Sequence, residues 1–409
     1  MKRTAILVLT FILAFGVLSV YSGADSETSE MVPGEEVRII SINLSVEERD
    51  KEERCPEMLK MLLSFRPDTI GTQENGGPWP AFFEDNLETI GYARVGLSPE
   101  GLLRGGKLAG DYIYYDSEKY ECLKWDTFWV TTKSRMIGQS YRPTFPRMCT
   151  WAILENKKTG FRFAHVNCHL AFETEEENLY HMQMVSRMLI QFDQAGIPAF
   201  STGDYNTSEG SRSYQLMMST PGIGDPKYLA ETTSNKGTWR GWEIRDTTGS
   251  RAIDFCFSTA EKMDFRQYYV IETFVGDLAL SDHNGLFVDA EVHSLPEQYS
   301  LGASVVPTEG MAFKELSRRA YVYDFEITQP VDVKYVYDYY VELRDSEGKL
   351  VDTREIPSYN VDEVVLPSVT CTFGALEPDS EYTVIVYARN VLGARAEGVS
   401  FSFRTTPLE

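Results

Sequence analysis

The chain has 409 residues, 43% of them hydrophobic, which is enough apolar material for two globular domains that each bury a core. Its 61 acidic and 39 basic side chains give a net charge of -22, so the field around the protein repels polyanions and argues against strong nucleic-acid binding. Six cysteines are too few for a disulfide scaffold, and we expect mostly free thiols.

The N-terminus has the pattern of an exported protein. Met1-Lys2-Arg3 is basic, residues 4–20 are apolar and Ser22-Gly23-Ala24 are small, which is typical of a secretory signal cleaved after Ala24. An uncleaved membrane anchor is the alternative, since about 17 apolar residues lie at the short end of what spans a bilayer. We expect a signal peptide over residues 1–24, a lead over residues 25–36 and a secreted or periplasmic protein.

Residues 37–294 alternate short β-rich segments with amphipathic helical ones, which predicts a layered α/β domain around a central sheet system. Strands are expected at residues 37–42, 69–72, 161–166 and 197–201. Helices are expected at residues 52–65, ending before Pro67, and at residues 179–192.

The pattern changes after residue 294, where helical periodicity stops and alternating strand patterns follow. We expect a linker over residues 295–318 and an all-β domain over residues 319–409. Leu376-Glu377-Pro378, residues 382–388, Asn390 with Gly393, and residues 401–405 are similar to the last strands of a fibronectin type III sandwich. This resemblance implies a spacer, or a module that docks on a surface or a glycan.

Polar residues recur just after the predicted strands. Asn43 ends the first strand, Gln73-Glu74 lie in a loop after the second, and His169 and Asp204 follow two later strands. Layered α/β folds place their sites at such strand ends. Hydrolysis of a phosphoester needs a cation to neutralise phosphoryl oxygens and an activated water, and a carboxylate such as Glu74 suits a hard divalent cation.

Each of these residues alone is typical of a turn, a cap or a salt bridge, but their order along the chain is more specific. The chain resembles the endonuclease/exonuclease/phosphatase superfamily, which includes pancreatic-type deoxyribonucleases, neutral sphingomyelinases, inositol-polyphosphate phosphatases and deadenylases. The segments that carry the resemblance are Asn43, Arg66-Pro67-Asp68, Gln73-Glu74, Phe128-Trp129, Arg147 with Cys149-Thr150-Trp151, Asn167-Cys168-His169-Leu170, Gly203-Asp204-Tyr205-Asn206, Ile253-Asp254-Phe255 and Ser281-Asp282-His283. The resemblance implies a two-sheet α/β sandwich over residues 37–294 with the site at one end.

The resemblance also implies a cofactor, Mg²⁺ or Mn²⁺, and the residues that hold it. Glu74 would be the main metal ligand with Asn43 beside it, and Asp282 would support the metal or its hydration shell. Asp204 and Asn206 would orient the attacking water and hold a phosphoryl oxygen.

The same resemblance assigns the proton-transfer and substrate residues. His283 would be the base, oriented by Asp254, and His169 the acid or phosphate donor opposite. Two imidazoles with ordinary pKa values near 6.5 suit that exchange. Arg147 and Trp239 are candidates for contact with substrate, with salt bridging and packing as the alternative interpretations.

One departure from the family pattern concerns His169. Relatives carry a Glu, then an Asn two residues later, where this chain has Ala109 and Asp111. Either Asp111 substitutes from a shifted position, or activity is weakened. A catalytically weak or inactive binding or adhesion protein on the same scaffold is therefore the alternative to an enzyme.

The substrate class stays open at this point. An exported phosphodiesterase or phosphatase could act on a phospholipid head group, nucleic acid or a small phosphorylated metabolite. The negative surface disfavours long polyanions among these.

Overall fold

A computed structural model describes residues 34–47, 49–97, 109–130, 147–293, 306–333, 336–358 and 368–408. The expected signal peptide, the lead up to residue 33 and residues 295–305 of the expected linker lie outside these ranges. Among the described residues, no helix has the length and apolar character needed to cross a bilayer.

The first sheet has seven strands, and strands are numbered in chain order. In spatial order they are β10 (Thr232–Thr233), β12 (Met263–Ile271), β15 (Gly285–Val292), β1 (Glu35–Asn43), β2 (Thr69–Asn75), β4 (Gly110–Asp116) and β3 (Tyr92–Val95). Strand β1 is central, parallel to β2 and antiparallel to β15. Because side chains alternate along a strand, Ile39 faces the second sheet whereas Ile40 faces the helices on the other side.

The second sheet has six strands. In spatial order they are β5 (Tyr120–Trp129), β6 (Met148–Asn156), β7 (Arg162–His169), β8 (Ala199–Asp204), β11 (Asp254–Thr259) and β9 (Ile223–Gly224). Only the β7–β8 pair is parallel among these neighbours. A short hairpin, β13 (Phe274–Val275) with β14 (Leu278–Ala279), precedes β15.

Helices cover the outer faces of both sheets. Helices α1 (Lys51–Ser64) and α2 (Trp79–Leu87) pack on the first sheet, and α3 (Glu175–Gln194) and α4 (Arg212–Met218) pack on the second. A short helix α5 (Pro226–Leu229) and two 3₁₀ turns (Glu88–Ile90 and Ala260–Lys262) complete the described helical segments. The predicted layered α/β domain is confirmed, with an inner apolar core between the sheets.

A row of buried polar side chains also crosses the interface between the sheets. The ring nitrogens of His165 lie 2.9 Å from Thr69 Oγ1 and 2.7 Å from Thr202 Oγ1. Gln73 donates to Asn167 Oδ1 at 2.7 Å, and Asn167 donates to a backbone carbonyl of β2 at 2.9 Å. Burial lowers the pKa of His165 to about 3, so the ring is neutral. These bonds fix the register between the two sheets below the strand ends.

The C-terminal part consists of two small antiparallel sheets. The three-stranded sheet is β16 (Ala312–Arg318), β17 (Tyr323–Thr328) and β20 (Ser368–Phe373), and the four-stranded sheet is β19 (Leu350–Pro357), β18 (Asp338–Asp345), β21 (Glu381–Arg389) and β22 (Val399–Arg404). They share an apolar core that includes Phe325, Tyr339 and Val384. We call the two sheets the C-terminal sandwich. Strand β16 lies within the segment expected to be linker and pairs with β17.

All six cysteines lie in the described part of the chain, and their thiols are unpaired. Cys149 and Cys168 face each other across β6 and β7. The fold therefore holds together without a disulfide among them.

Candidate active site

The ends of strands from both sheets bring the candidate residues together. Asn43 ends β1 and lies beside Gln73 of parallel β2, so Glu74 follows on the same edge. In the second sheet, His169 of β7 pairs with Asp204 of β8, which pairs in turn with Asp254 of β11. Parallel neighbours end on one edge, which explains why residues far apart in sequence meet here.

The carboxylate of Asp204 is the centre of the group. Its Oδ2 accepts a hydrogen bond from Asn43 Nδ2 at 3.1 Å and lies 3.4 Å from His169 Nε2 and 3.7 Å from His283 Nε2. The side chain is fully enclosed, and burial together with the carboxylate of Asp254 raises its pKa. Asp204 thus joins the two imidazoles and the predicted metal side of the site.

The carboxylate of Asp254 holds the His283 ring through its Nδ1 atom. His283 Nδ1 lies 2.9 Å from Asp254 Oδ2, and the backbone N–H of Asp254 donates to Thr238 Oγ1 at 3.0 Å. Burial by itself lowers the pKa of His283, but the carboxylates of Asp254 and Asp204 outweigh it and raise the pKa. Nδ1 faces a carboxylate, so Nε2 is the nitrogen that would exchange a proton with water. Without a bound cation the raised pKa keeps Nε2 protonated, and a cation that neutralises Asp204 would lower this pKa so that Nε2 can accept a proton.

His169 has the opposite electrostatic environment. Burial lowers its pKa well below the ordinary value, and the Arg147 cation and His283 lower it further. A neutral imidazole suits the expected role of a hydrogen-bond donor to phosphate better than that of a proton donor. The two histidines are therefore differentiated by their surroundings.

Glu74 and Asn43 form the predicted metal side. Glu74 Oε1 accepts from Asn43 Nδ2 at 3.2 Å, and Oε2 accepts from the backbone N–H of Val46 at 3.1 Å. The prediction that Glu74 lies in a loop is wrong, because β2 continues to Asn75. Pairing with β4 slips just before Asn75, and Glu74 has a φ of 51°, a left-handed conformation that is strained for a side chain of this kind.

Asp282 lies beside this pair on the segment before β15. Ser281 Oγ donates to the Asn43 carbonyl at 2.6 Å and ties the segment to the end of β1. Burial raises the pKa of Asp282, and the Glu74 carboxylate raises it further, although His283 acts in the other direction.

A divalent cation fits this set of donors. Glu74, Asp204, Asp254 and Asp282 supply carboxylate oxygens, which hard cations prefer. Ligand atoms of Asp204, Asp254 and His283 all lie within 4.8 Å of one another, and Asp254 Oδ1 is buried without a hydrogen-bond partner among the described residues. Burial raises the pKa of Asp204 and of Asp282, and repulsion by Asp254 and by Glu74, respectively, raises each pKa further; a bound cation would relieve this repulsion. Asn43 bridges this triad and the predicted ligand Glu74.

Asn206 connects the segment that follows β8 to the segment that follows β7. Its φ is 49°, its backbone N–H donates to Asp204 Oδ1 at 2.9 Å, and its side-chain amide donates to the Leu170 carbonyl at 3.0 Å. It therefore joins the chain after β7 to the chain after β8. Its predicted role toward water and phosphate stays a prediction.

The two substrate candidates lie beside different histidines. Arg147 is buried with its guanidinium 5.6 Å from the ring centre of exposed Phe172, and its charge acts on His169. Trp239 is 40% exposed, and its ring centre lies 4.8 Å from that of His283 at 73°. Trp239 therefore borders the His283 side of the site, whereas the charge of Arg147 acts on the His169 side.

Asp111 is buried near Arg147, Glu74 and Asp204, and burial raises its pKa strongly. The Arg147 cation and the main chain of His169 act in the opposite direction and lower this pKa. Asp111 therefore belongs to the same buried, charged environment as His169.

A second group of residues, not predicted from the sequence, holds the loops next to the site. Asn178 of α3 donates to the carbonyls of Ala171 and Tyr205, both at 2.7 Å, and His181 Nδ1 accepts from the Ala171 N–H at 3.1 Å. Arg240 donates to the Thr273 carbonyl behind the segment that carries His283. For His181 the available signal was a polar residue within the helix predicted over residues 179–192, whereas Asn178 precedes that range and Arg240 lies outside every predicted helix.

Comparisons with protein-family models and with curated protein sequences gave no match. Solved structures do match. An endonuclease/exonuclease/phosphatase family protein from Bacteroides thetaiotaomicron is 21% identical with a TM-score of 0.56, over 63% of this chain and 98% of that chain. A mannosyl-6-phosphatase from the same organism is 22% identical with a TM-score of 0.56, over 62% and 99%. An endonuclease/exonuclease/phosphatase from Bacteroides vulgatus is 24% identical with a TM-score of 0.54, over 63% and 99%. These likenesses show that the chain has the endonuclease/exonuclease/phosphatase fold.

Proposed function

We propose that this protein is an exported, metal-dependent hydrolase of phosphoester bonds, acting as a phosphodiesterase or a phosphatase. The observation that carries the proposal is the convergence on Asp204 Oδ2, which lies within 3.4 and 3.7 Å of two imidazole nitrogens and within hydrogen-bond distance of Asn43. An acid, two histidines and a neighbouring set of oxygen donors in one enclosed site suit hydrolysis at phosphorus.

Mg²⁺ or Mn²⁺ is the proposed cofactor. Glu74 and Asn43 would hold the cation, and Asp282 would contact it or its hydration shell. When bound, it supplies a Lewis acid that neutralises charge on the phosphoryl oxygens.

The proton transfer is assigned to His283. Its Nε2 accepts a proton from water while the water oxygen bonds to phosphorus and the P–O bond to the ester oxygen breaks. The ester oxygen leaves as an anion and takes up a proton from solvent. Asp254 stabilises the imidazolium that forms, through the 2.9 Å contact with Nδ1. Asp204 orients the water, and neutral His169 donates a hydrogen bond to a phosphoryl oxygen.

The favoured substrate is a small phosphorylated molecule that carries a ring, such as a sugar phosphate. Trp239 presents an exposed aromatic face beside His283, which suits packing against a ring. The net charge of -22 disfavours long nucleic acids. The mannosyl-6-phosphatase among the similar structures adds sugar phosphates to the candidates.

The test uses the mature protein with p-nitrophenyl phosphate and bis(p-nitrophenyl) phosphate, in Mg²⁺, in Mn²⁺ and in chelator. We expect hydrolysis only with metal, and loss of most of it in Glu74→Ala and His283→Ala. A panel of sugar phosphates, inositol phosphates, sphingomyelin, DNA and RNA then identifies the substrate class.

His293→Ala is the matched control, because this imidazole pairs with Asp264 at the far end of β15. It should keep full activity. Equal rates in wild type, Glu74→Ala and His283→Ala would refute the assignment. Ligand capture without turnover on the whole panel would instead support a binding or adhesion protein on this fold.

Two further assignments belong to the proposal. Export is supported by the pattern of residues 1–24 and is tested by N-terminal sequencing of protein recovered outside the cytoplasm. A fibronectin type III-like identity of the C-terminal sandwich is supported by its pairing of three strands against four. Binding of the protein to glycan arrays would test the expected docking role.

A further inference from the structure

Helix α3 is buried on nearly all sides. Twelve of its 20 residues are buried, and they include polar side chains such as Asn178, Arg187 and Gln191. A helix on the outside of a domain normally keeps its polar residues in water. The buried polar residues of α3 therefore need partners on more than one side.

The first half of α3 holds the active-site loops. Asn178 donates to Ala171, two residues after His169, and to Tyr205, which directly follows Asp204. One side-chain amide thus joins the two loops that carry the central carboxylate and one imidazole.

The second half of α3 holds the C-terminal sandwich. Arg187 donates to the carbonyls of Val333 and Val336, both at 3.0 Å, and to Ser358 Oγ at 2.7 Å. Gln191, one helical turn later, donates to the Val336 carbonyl at 3.3 Å. Both side chains are at least nine-tenths buried.

Side chains of the sandwich also complete the core of the catalytic domain. Tyr337 packs edge-on against Trp151 at 6.1 Å, and its hydroxyl donates to Asp126 at 2.9 Å. Val391 is fully buried in the same apolar cluster as α3, and its carbonyl accepts from Lys124 at 2.8 Å. Such an interface differs from the loose contact of a module on a flexible linker.

We propose that α3 braces the active site against the C-terminal sandwich, with Arg187 anchoring the helix and Asn178 acting as a positioning residue for the loops after His169 and Asp204. The two residues are nine positions apart, about 13 Å along one rigid helix. A displacement of the helix at Arg187 therefore also displaces Asn178 and the two loops that it binds. The sandwich is then a structural part of the hydrolase. This inference rests on the proposed function for its effect on rate.

The experiment compares Arg187→Met with Ser358→Ala, which weakens the same anchor from the sandwich side. Hydrogen exchange of the Leu170, Ala171 and Tyr205 amides is measured in full-length protein, together with kcat and KM for p-nitrophenyl phosphate. We expect exchange at least about tenfold faster in Arg187→Met and a kcat lower by about tenfold, with KM within about twofold. Ser358→Ala should show smaller changes of the same sign.

Arg354→Met is the matched control, because this arginine pairs with Asp352 and lies over Phe373 within the sandwich. It should leave exchange and kcat unchanged. Unchanged exchange in folded Arg187→Met and Ser358→Ala overturns the proposal, as does faster exchange with unchanged kcat. If Arg187→Met does not fold, the exchange rates and kcat of Ser358→Ala alone test the proposal. Exchange reports on the brace even if the wild type hydrolyses nothing, so failure of the proposed function is distinguishable.

Discussion

His169 and His283 approach the same carboxylate oxygen, Asp204 Oδ2, from two different sheets. His169 ends β7 of the second sheet, whereas His283 lies just before β15 of the first. The arrangement of these three side chains therefore depends on the register between the sheets, which the buried polar side chains below the site fix.

Replacing Asp254 with Asn should impair His283 in its proposed role as the general base. The amide keeps the size of the side chain but removes the charge that raises the pKa of His283, and it leaves the imidazole free to adopt the wrong tautomer. We expect kcat/KM to fall by about a hundredfold or more. In metal-free protein, NMR titration should show a lower pKa for His283 than in the wild type. An unchanged rate with a lowered pKa would mean that His283 is not the base.

Replacing Glu74 with Gln should weaken metal binding. The amide keeps one oxygen but loses the charge beside Asn43, so we expect the Kd for Mn²⁺ to rise at least about tenfold, measured by calorimetry. Glu121→Gln, an exposed acid on β5, is the matched control. Equal Mn²⁺ affinity in Glu74→Gln and wild type would indicate that the metal binds to Asp204, Asp254 and His283 and not to Glu74.

Stability should fall as the pH falls below 6.5 because of His165. The folded state keeps this ring neutral down to about pH 3, whereas the unfolded chain binds the proton near 6.5. Protons are then bound preferentially by the unfolded chain. The free energy of unfolding should decrease by about 1.4 kcal/mol per pH unit between pH 6 and pH 4 from this group.

Urea denaturation of wild type and His165→Asn at several pH values measures this contribution. The variant loses the titration, so the stability difference between the two proteins should shrink as the pH falls. Parallel curves for the two proteins would contradict the assignment.

Gly71→Ala should destabilise the protein. A Cβ at this position would lie 2.5 Å from both Asn167 Oδ1 and Thr202 Oγ1, in the buried polar row between the sheets. We expect a loss of about 2 kcal/mol in the free energy of unfolding. Gly210→Ala, where a Cβ meets nothing within 4 Å, is the control and should be close to neutral. An unchanged free energy of unfolding in Gly71→Ala would show that the buried polar side chains can move aside for the added methyl group.

Strand and helix periods predicted the layered α/β domain, because each element buries one face and its apolar residues recur at the period of that element. Asn43 and Asp204 were predicted as site candidates because they end or follow predicted strands and match the motif order of the superfamily that the chain resembles. Local sequence does not encode contacts between distant segments, so the continuation of β2 through Glu74 was missed. The polar residues Asn178 and Arg187 were missed as well, since their partners come from other segments of the chain.

The burial of Tyr337 and Val391 in the core behind the second sheet bears on how the chain reaches its native state. Their side chains complete the apolar layer under α3, yet both residues come more than 140 positions after the last residue of that helix, Gln194 (337 − 194 = 143). This apolar layer therefore stays incomplete until Val391 has been synthesised, and a nascent chain halted before Tyr337 would expose the Trp151 face to chaperones or to aggregation.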